Sequence, residues 1–565
     1  MKTNDKRWQI ASPISPEANE NLKAYSPILR QILFNRGIAT QRAAEDYIGA
    51  VLPDYDPFDL IGVMEALSRI EQAVKKDEKI VVYGDFDADG VTAATLMMQT
   101  LSALGADAQV YIPDRFIEGY GLNILALDKL KKEGADLIVT VDCGIRAIRE
   151  VEHANQIGLD VIITDHHTPG TELPQATALI NPKQPGDLYP EKNLAGVGVA
   201  YKLASVLIDR MQPADLSIEQ MLDLVAIGTV ADMVPLVGEN RALVKRGLLH
   251  LREGRRQGLY SLYGVTGISA PAITTTEIGF SIGPRINAAG RLASALDAYR
   301  LLITKDVYQA GQLAQLLDNR NRERQKITRD ILEDSERLAT ADETDPFLLV
   351  ASHQDFNPGV VGLAASRLVE RYYRPAIVAH RGEGHTRASC RSIPEFHITR
   401  ALEKCADLLV QFGGHAAAAG FTVENDNFHE LVGRLKDFAR RELAGVDLQP
   451  VIHADAQVKL IDLKPALLND LDSLQPTGYG NPEAVFASCD VAVGSARAVG
   501  REDAHLKMTV TDDRVTLDAI AFRQGYWVGH LPPKIDLIFS FELNEYNGRK
   551  TLQLNVKDIK PSRSG

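Results

Sequence analysis

Three short apolar runs, each followed by an acidic motif, constrain the fold of this 565-residue chain more than any other feature. The runs are rich in valine and isoleucine and do not alternate with polar residues, which is typical of buried strands in a parallel sheet. Ligands of open α/β sheets bind outside the carboxyl ends of such strands. Carboxylates and imidazoles that meet there predict a divalent-metal site and a metal-dependent hydrolase. The motifs are Asp85-Phe86-Asp87-Ala88-Asp89-Gly90 after KIVVYG, Asp142-Cys143-Gly144 after ADLIVTV, and Asp165-His166-His167 after LDVIIT.

The first motif places three carboxylates, Asp85, Asp87 and Asp89, at alternate positions after its strand. Oxygen ligands of this kind suit Mg²⁺, Mn²⁺ or Ca²⁺. The spacing also resembles the start of an EF-hand loop, but the loop position that requires a glutamate is Leu96 here, so an EF-hand is excluded. A metal site and a solvated acidic turn remain as the alternatives for this motif alone.

The third motif adds imidazole nitrogen to the carboxylates through His166 and His167. Mixed nitrogen and oxygen ligation favours Mn²⁺ over Mg²⁺. His166 alone is compatible with a hydrogen-bonded structural role, and an aspartate such as Asp142 commonly follows a strand. The combination of all three motifs favours metal binding.

Further candidate residues lie downstream. Asp232 stands inside the apolar run LVAIGTVADMVPL, where an unpaired carboxylate is costly, so metal ligation, an N-cap or a salt bridge is expected. Arg285 and Arg291 lie among small residues in GFSIGPRINAAGR, which lets guanidinium and backbone N–H groups approach a phosphate. HTRASCRS and GGHAAAAG have the same character, although the latter is also compatible with a tight turn entering a helix.

Composition is that of an ordinary globular protein, with 45% apolar and 24% charged residues. The formal charge of −13 gives no overall attraction to nucleic acid, although a local basic groove is compatible with it. The four cysteines are scattered without CxxC spacing, which fits a reducing compartment. With no signal-peptide core and no apolar run of about 18 residues, a cytoplasmic protein without membrane contact is expected.

The order of elements predicts an α/β protein in which a parallel-sheet domain is joined by a long helix to a second α/β domain and then to a C-terminal β-barrel. Residues 1–60 are expected to form a helical lead-in packed on the first domain. The last part reads as short strands with a hairpin signal at Tyr546-Asn547-Gly548, which favours an OB-fold, a common single-strand-binding module. The predicted domains are 61–305 (catalytic), 306–340 (connecting helix), 341–448 (second α/β domain) and 449–565 (OB-fold). Basic residues between Arg320 and Arg329 form either a solvated helix face or the wall of a nucleic-acid groove.

Seven motifs and their order along the chain resemble those of the DHH phosphoesterase superfamily. They are GDFDADG, VDCGI, TDHH, GTVADMVPL, PRINAAGR, SCRSI and GGHAAAAG. The DHH motif indicates the superfamily. PRINAAGR, SCRSI and the terminal β domain resemble, within it, the RecJ family of single-strand-specific 5′→3′ DNA exonucleases. The resemblance extends from about residue 60 to the C-terminus.

The resemblance implies roles for individual residues. Asp142 would bridge two Mn²⁺ or Mg²⁺ ions, and Asp85 would be an auxiliary ligand. Ser389 and Arg391 would form the pocket for the 5′ end. Phosphate contacts would come from Arg115, Arg285 or Arg291, and the Gly414-His415 motif. The implied metal ligands are Asp85, Asp87, Asp89, Asp142, His166, His167 and Asp232, and the implied catalytic residues are Asp142, His166, His167, Arg285 and Arg291.

The resemblance also implies an activity, the degradation of single-stranded DNA to 5′-mononucleotides by two-metal-ion hydrolysis in recombination and repair. The implied partners are single-stranded DNA, a single-strand-binding protein and a RecQ-type helicase. A DHH-type phosphodiesterase acting on short oligonucleotides or cyclic dinucleotides is the alternative.

Overall fold

The computed structural model describes residues 6–114, 118–119, 121–340, 347–512, 514–546 and 548–562. The N-terminal segment contributes one strand and three helices. Its helices begin at side-chain caps, since Ser15, Ser26 and Thr40 accept backbone N–H groups of the first turns. These elements are β1 (Arg7–Ile10), α1 (Pro16–Asn21), α2 (Pro27–Asn35) and α3 (Gln41–Gly49).

The first α/β part is built on a five-stranded parallel sheet of order β3-β2-β4-β5-β6. Its inner strands are buried along their length, as the uninterrupted apolar runs predict. The elements are α4 (Val63–Lys76), β2 (Ile80–Gly84), α5 (Ala88–Ala103), β3 (Ala108–Tyr111), α6 (Ile124–Lys132), β4 (Leu137–Val141), α7 (Ile148–Gln156), β5 (Asp160–Thr164), β6 (Ala178–Ile180), α8 (Gly196–Met211), α9 (Leu222–Ala231), α10 (Gly238–Glu253), α11 (Gln257–Thr266), α12 (Thr275–Glu277), a π-helical turn (Ile278–Ile282), α13 (Gly283–Leu292) and α14 (Leu296–Ile303).

The helix predicted over 306–340 is present as α15 (Val307–Thr340). It is followed by a mixed sheet of order β10-β11-β9-β8-β7, in which only β7 and β8 are parallel. The elements of this second α/β part are β7 (Leu349–His353), α16 (Val361–Tyr372), β8 (Ala376–Arg381), β9 (His385–Arg391), α17 (Ile398–Glu403), β10 (Leu409–Gly414), β11 (Ala418–Glu424) and α18 (Phe428–Leu443).

The C-terminal part is a closed barrel, in which β14, β15, β16, β18 and β17 pair in that order and β17 pairs back to β14. This confirms the predicted β-barrel, although three of its strands are longer than the short segments expected and bend through irregularities in register. The elements are β12 (Val451–Ala454), β13 (Ala456–Gln457), α19 (Pro465–Ser473), β14 (Phe486–Val499), β15 (His505–Thr511), β16 (Thr516–Ala521), β17 (Lys534–Tyr546) and β18 (Arg549–Pro561).

The N-terminal helices share a hydrophobic core with the barrel. Leu29, Ile32 and Leu33 belong to the same buried cluster as Phe486 and Phe539. The apolar faces of these helices therefore pack on the barrel and not on the first α/β domain as predicted, because adjacency in sequence does not reveal which surface an apolar helix face covers. Leu52 and Tyr55, later in the same segment, do pack against the core of the first α/β domain. No helix among the described residues is long and apolar enough to span a membrane.

Candidate metal centre

The carboxyl ends of three neighbouring strands bring the acidic motifs together. Strands β2, β4 and β5 run side by side, with Gly84 opposite Val141 and Val141 opposite Thr164. Asp85, Asp142 and Asp165 therefore follow in register at one edge of the sheet. Asp142 adopts the left-handed conformation, with φ of 63°. A non-glycine residue held in that region is a mark of a functional constraint.

The ligating atoms of seven side chains gather at this edge. His166 is central, since its Nε2 lies 3.1 Å from Asp142 Oδ1, 3.5 Å from Asp232 Oδ2 and 3.9 Å from Asp89 Oδ2. The structure thus brings together every metal ligand that the sequence predicted. Within each of three groups, one ligating atom per residue lies within 4.8 Å of the others: Asp142, His166 and His167; Asp89, His166 and Asp232; and Asp85, Asp87 and Asp142.

Asp87 and Asp89 are held by backbone N–H groups at helix N-termini. Asp87 Oδ1 accepts hydrogen bonds from the N–H groups of Asp89 and Gly90 at 3.0 and 3.1 Å, so it caps α5. Asp89 accepts hydrogen bonds from Gly196 N at 2.6 Å and Val197 N at 2.8 Å, at the start of α8. These bonds fix both carboxylates before any ligand binds.

Two glycines let helices approach the carboxylates closely. A Cβ on Gly196 would lie 2.5 Å from the Cβ and Oδ1 of Asp142, and one on Gly228 would lie 2.7 Å from Asp89 Oδ1. Real Cβ contacts are essentially never shorter than 3.0 Å, so neither position accepts a side chain without displacement. Sequence reasoning missed both residues, because their role depends on how α8 approaches the end of β4 and how α9 crosses α5.

Asp165, the first residue of the DHH motif, positions the histidines. Its Oδ1 accepts hydrogen bonds from the backbone N–H groups of His166 and His167 at 2.7 and 3.0 Å, and it lies 2.7 Å from Nδ1 of His167. A carboxylate bound to one ring nitrogen orients the other nitrogen for a metal. Asn181, which follows β6 at the same sheet edge, donates to the His167 carbonyl at 2.9 Å. Its place directly after a strand was the signal that could have identified it.

The electrostatics of the metal-free cluster are unfavourable to so many ionised carboxylates. Burial and the neighbouring aspartates raise the pKa values of Asp89 and Asp142 well above their usual range. Burial and Asp87 raise the pKa of Asp232 to about 7. Burial lowers the pKa of His166 to about 3. Burial also lowers the pKa of His167, but the hydrogen bond and charge of Asp165, together with the charges of Asp232 and Asp85, outweigh it and raise that pKa to about 9. A bound cation would offset this repulsion.

The donor set fits divalent cations. Asp142 Oδ1 and His166 Nε2 are buried and make no hydrogen bond of normal geometry within the described part of the chain. Buried polar atoms without such partners are costly, and a cation between them would satisfy both. Carboxylate oxygens with one or two imidazoles suit Mg²⁺ and, more strongly, Mn²⁺.

The predicted phosphate-binding residues lie in several segments. Arg285, on α13, donates from Nη1 to the Ser281 carbonyl at 2.8 Å. Gly414 has φ of 146°, and a Cβ there would lie 2.4 Å from the Ala418 carbonyl oxygen, so this turn requires glycine. His415 next to it is exposed in the turn between β10 and β11. The GGH motif is thus the turn of a β-hairpin instead of the entry to a helix. Arg115 lies outside the described residues.

Three predicted residues converge at the first turn of α16. An added Cβ on Gly362 would lie 3.2 Å from Arg391 Nη2 and 3.3 Å from Ser389 Oγ. Arg291 donates to the Gly359 carbonyl just before the same helix, at 3.2 Å. Burial lowers the pKa of Arg391. Two guanidinium groups, a hydroxyl and a helix N-terminus together form a setting suited to an anion.

The parallel sheet and the metal cluster define a protein of the DHH class, and comparison of the sequence supports this. Residues 79–229 match the DHH family, N-terminal domain, residues 345–441 match the DHHA1 domain, and residues 454–558 match the RecJ OB domain.

Comparison with individual proteins narrows the class. The single-stranded-DNA-specific exonuclease RecJ of Bacillus subtilis is 39% identical over 565 residues, covering 99% of this chain and 71% of that protein. RecJ of Escherichia coli is 35% identical, covering 95% of this chain and 96% of that protein. The crystal structure of RecJ in complex with Mn²⁺ from Thermus thermophilus superposes with a TM-score of 0.85 at 31% identity, covering 99% of this chain and 80% of that one. This chain belongs to the RecJ family.

Proposed function

We propose that this protein is a metal-dependent exonuclease that degrades single-stranded DNA in the 5′→3′ direction to 5′-mononucleotides, in recombination and repair. The observation that carries the proposal is the cluster in which His166 Nε2 lies within 3.9 Å of three carboxylates. The names of its relatives, the barrel and the solved RecJ complexes with Mn²⁺ and Mg²⁺ support it.

Two divalent ions, Mn²⁺ or Mg²⁺, would be held by the seven clustered side chains, of which Asp142 belongs to two of the three groups. When bound, divalent cations activate water for attack on phosphorus and offset charge on the phosphate. Hydrogen bonds within the protein hold these ligands in position. Asp165 orients His167, and the N-terminus of α8 holds Asp89. Because this geometry exists before binding, little reorganisation is needed at the moment of reaction.

We propose that the 5′ end of the strand binds where Ser389, Arg391 and Arg291 meet the start of α16. A terminal phosphate offers several acceptor oxygens to guanidinium and hydroxyl donors. A pocket that binds the 5′-terminal phosphate and not an internal phosphate would account for the stepwise release of mononucleotides. We propose that Arg285, whose Nη1 donates to the Ser281 carbonyl, also contacts the reacting phosphate.

The decisive test of the metal site is Asp142→Ala. The variant should lose Mn²⁺-dependent cleavage by at least about 1,000-fold, since a central ligand is removed, while binding of single-stranded DNA is retained. Asp209→Ala, an exposed aspartate on α8, is the control and should be as active as the unchanged protein. Full activity of Asp142→Ala would refute the site, and equal turnover of a dinucleotide and a long 5′-labelled strand would favour a small-phosphodiester hydrolase instead.

The 5′ pocket has its own test in Arg391→Ala. Activity should fall more on 5′-phosphorylated than on 5′-hydroxyl strands, because the lost guanidinium serves the terminal phosphate. Arg367→Ala, an exposed arginine of α16, should leave the ratio unchanged. Equal losses on both kinds of end would contradict the assignment.

We also propose, on the basis of the family resemblance, that the protein acts in the cytoplasm beside a single-strand-binding protein and a RecQ-type helicase. Co-purification of tagged protein from its native cells, with nuclease treatment to remove DNA-mediated association, would test both partners.

A further inference from the structure

Three large apolar side chains are exposed on three different segments, two in the first α/β part and one in the loop between α19 and β14. Met233 is 67% exposed, Phe280 is 82% exposed and Tyr479 is 60% exposed. Met233 directly follows the metal-site residue Asp232, Phe280 lies in the π-helical turn, and Tyr479 lies between α19 and β14. Exposed apolar side chains on adjoining segments indicate an interaction surface.

Two hydrogen bonds and close packing tie these segments together. Leu236 N donates to the Tyr479 carbonyl at 2.7 Å, and Thr275 Oγ1 donates to the Thr477 carbonyl at 2.6 Å. A Cβ on Gly480 would lie 2.9 Å from Pro235 Cβ. The loop that carries Tyr479 is thus fixed against the segment that follows Asp232 and against α12.

The π-helical turn packs on the helix that leads into Asp232. A Cβ on Gly283, directly after the turn, would lie 3.3 Å from Ala231 Cβ, so the turn abuts the end of α9. π-helical turns are rare and occur frequently at functional sites. Met233 is also held at φ of 59°, which costs conformational energy in a non-glycine residue. Met233 directly follows the predicted ligand Asp232, and Phe280 lies in the turn that abuts α9, whose last residue precedes Asp232.

Bases of a single strand are the occupants that this surface fits. Cationic groups bind the phosphates of a single strand, and flat apolar side chains beside the backbone bind its bases by stacking. The surface begins one residue from Asp232, and the guanidinium of Arg285 lies beside Ser281 of the same π-helical turn. Aromatic rings combined with an arginine are typical of single-strand binding without sequence preference.

We propose that Met233, Phe280 and Tyr479 form a stacking platform for the bases that lie between the metal centre and the barrel. The platform rests on the proposed function and extends it, because it gives the protein a means of holding unpaired bases that a duplex would not offer. It would favour long single strands over small phosphodiesters.

The experiment measures binding in the cleavage-deficient Asp142→Ala background, so that it is independent of the nuclease activity. Fluorescence anisotropy with labelled oligothymidylates would compare Phe280→Ala and Tyr479→Ala with the background protein. Each is expected to weaken binding about tenfold, and Phe280→Trp to restore it, because stacking needs an aromatic face rather than a particular residue. Tyr260→Ala, which removes a tyrosine 61% exposed on α11, is the matched control and should bind unchanged.

A series of strands with a single abasic nucleotide locates the contact. The background protein should bind strands with an abasic site at one or two positions less tightly, and Phe280→Ala should abolish that penalty at one of them. Unchanged binding by both alanine variants, or an abasic penalty that persists in them, would overturn the platform. The proposed function would fail separately, if the unchanged protein did not shorten single strands from their 5′ ends.

Discussion

Replacing Gly196 with alanine tests whether the carboxylates are held by the closeness of α8. The new Cβ would stand 2.5 Å from the Cβ and Oδ1 of Asp142, whereas ordinary contact begins at 3.4 Å. Either Asp142 or the start of α8 must move by about 0.9 Å to relieve the overlap. If α8 moves, Asp89 loses its anchor, because Gly196 N donates to Asp89 Oδ2 at 2.6 Å.

A displacement of about 1 Å at a catalytic group costs on the order of 100-fold in rate. Gly196→Ala is therefore expected to lower Mn²⁺-dependent cleavage about 100-fold and to weaken Mn²⁺ binding. The melting temperature of the metal-free protein should change little, since alanine favours the helix by up to about 1 kcal/mol while the overlap opposes it.

Calorimetric titration with Mn²⁺ and single-strand cleavage would be measured on the same preparation. Gly264→Ala is the matched control, since an alanine Cβ at that position in α11 meets nothing within 4 Å. It should keep full activity and metal affinity. Unchanged Mn²⁺ affinity and cleavage in Gly196→Ala would refute the argument that close packing of α8 positions the carboxylates.

Two further predictions concern stability. In metal-free protein, the pKa of Asp232 is raised from 3.8 to about 7 and that of His167 from 6.5 to about 9, whereas the pKa of His166 is lowered from 6.5 to about 3 and opposes Asp232 at acid pH. Above about pH 6.5, where His166 is neutral in both states, the folded state binds more protons than the unfolded chain. The free energy of unfolding should therefore fall as the pH rises from about 6.5 to about 9, and melting in EDTA across this range would measure it; a stability that increases with pH there would contradict the prediction. Arg241 is buried and donates at 2.9–3.0 Å to the carbonyls of Tyr47, Leu474, Gln475 and Pro476. Arg241→Met should lower the free energy of unfolding by at least about 3 kcal/mol in urea denaturation, because these carbonyls lose their donor, whereas the exposed Arg246→Met should not.

The residues at the strand ends could be predicted because two features of parallel sheets point to the same site. Continuous apolar runs indicate parallel strands, and parallel strands place the residues that follow them at one edge. Asp85, Asp142 and His166 could be assigned to one site on that basis. Asp232 needed only its position in an apolar run to become a candidate.

Other features depend on contacts between segments that sequence spacing does not reveal. Gly196 and Gly228 are ordinary helix residues in the sequence, and only the approach of α8 to the end of β4 and the crossing of α9 with α5 give them their role. The exposure of Phe280 could not be predicted either, since the π-helical turn changes which face of the helix it occupies. The barrel was predicted from its turns, but the length of β14 was not, because a bent strand reads as two short ones.

The shared core of the N-terminal helices and the barrel has a consequence for biosynthesis. Leu29, Ile32 and Leu33 leave the ribosome long before Phe539 and Leu554, against which their cluster closes. Contacts so distant in sequence form late, and the waiting surface is prone to aggregation. We therefore expect α2 to be shielded, by a chaperone or by temporary packing, until the strands of the barrel have been synthesised.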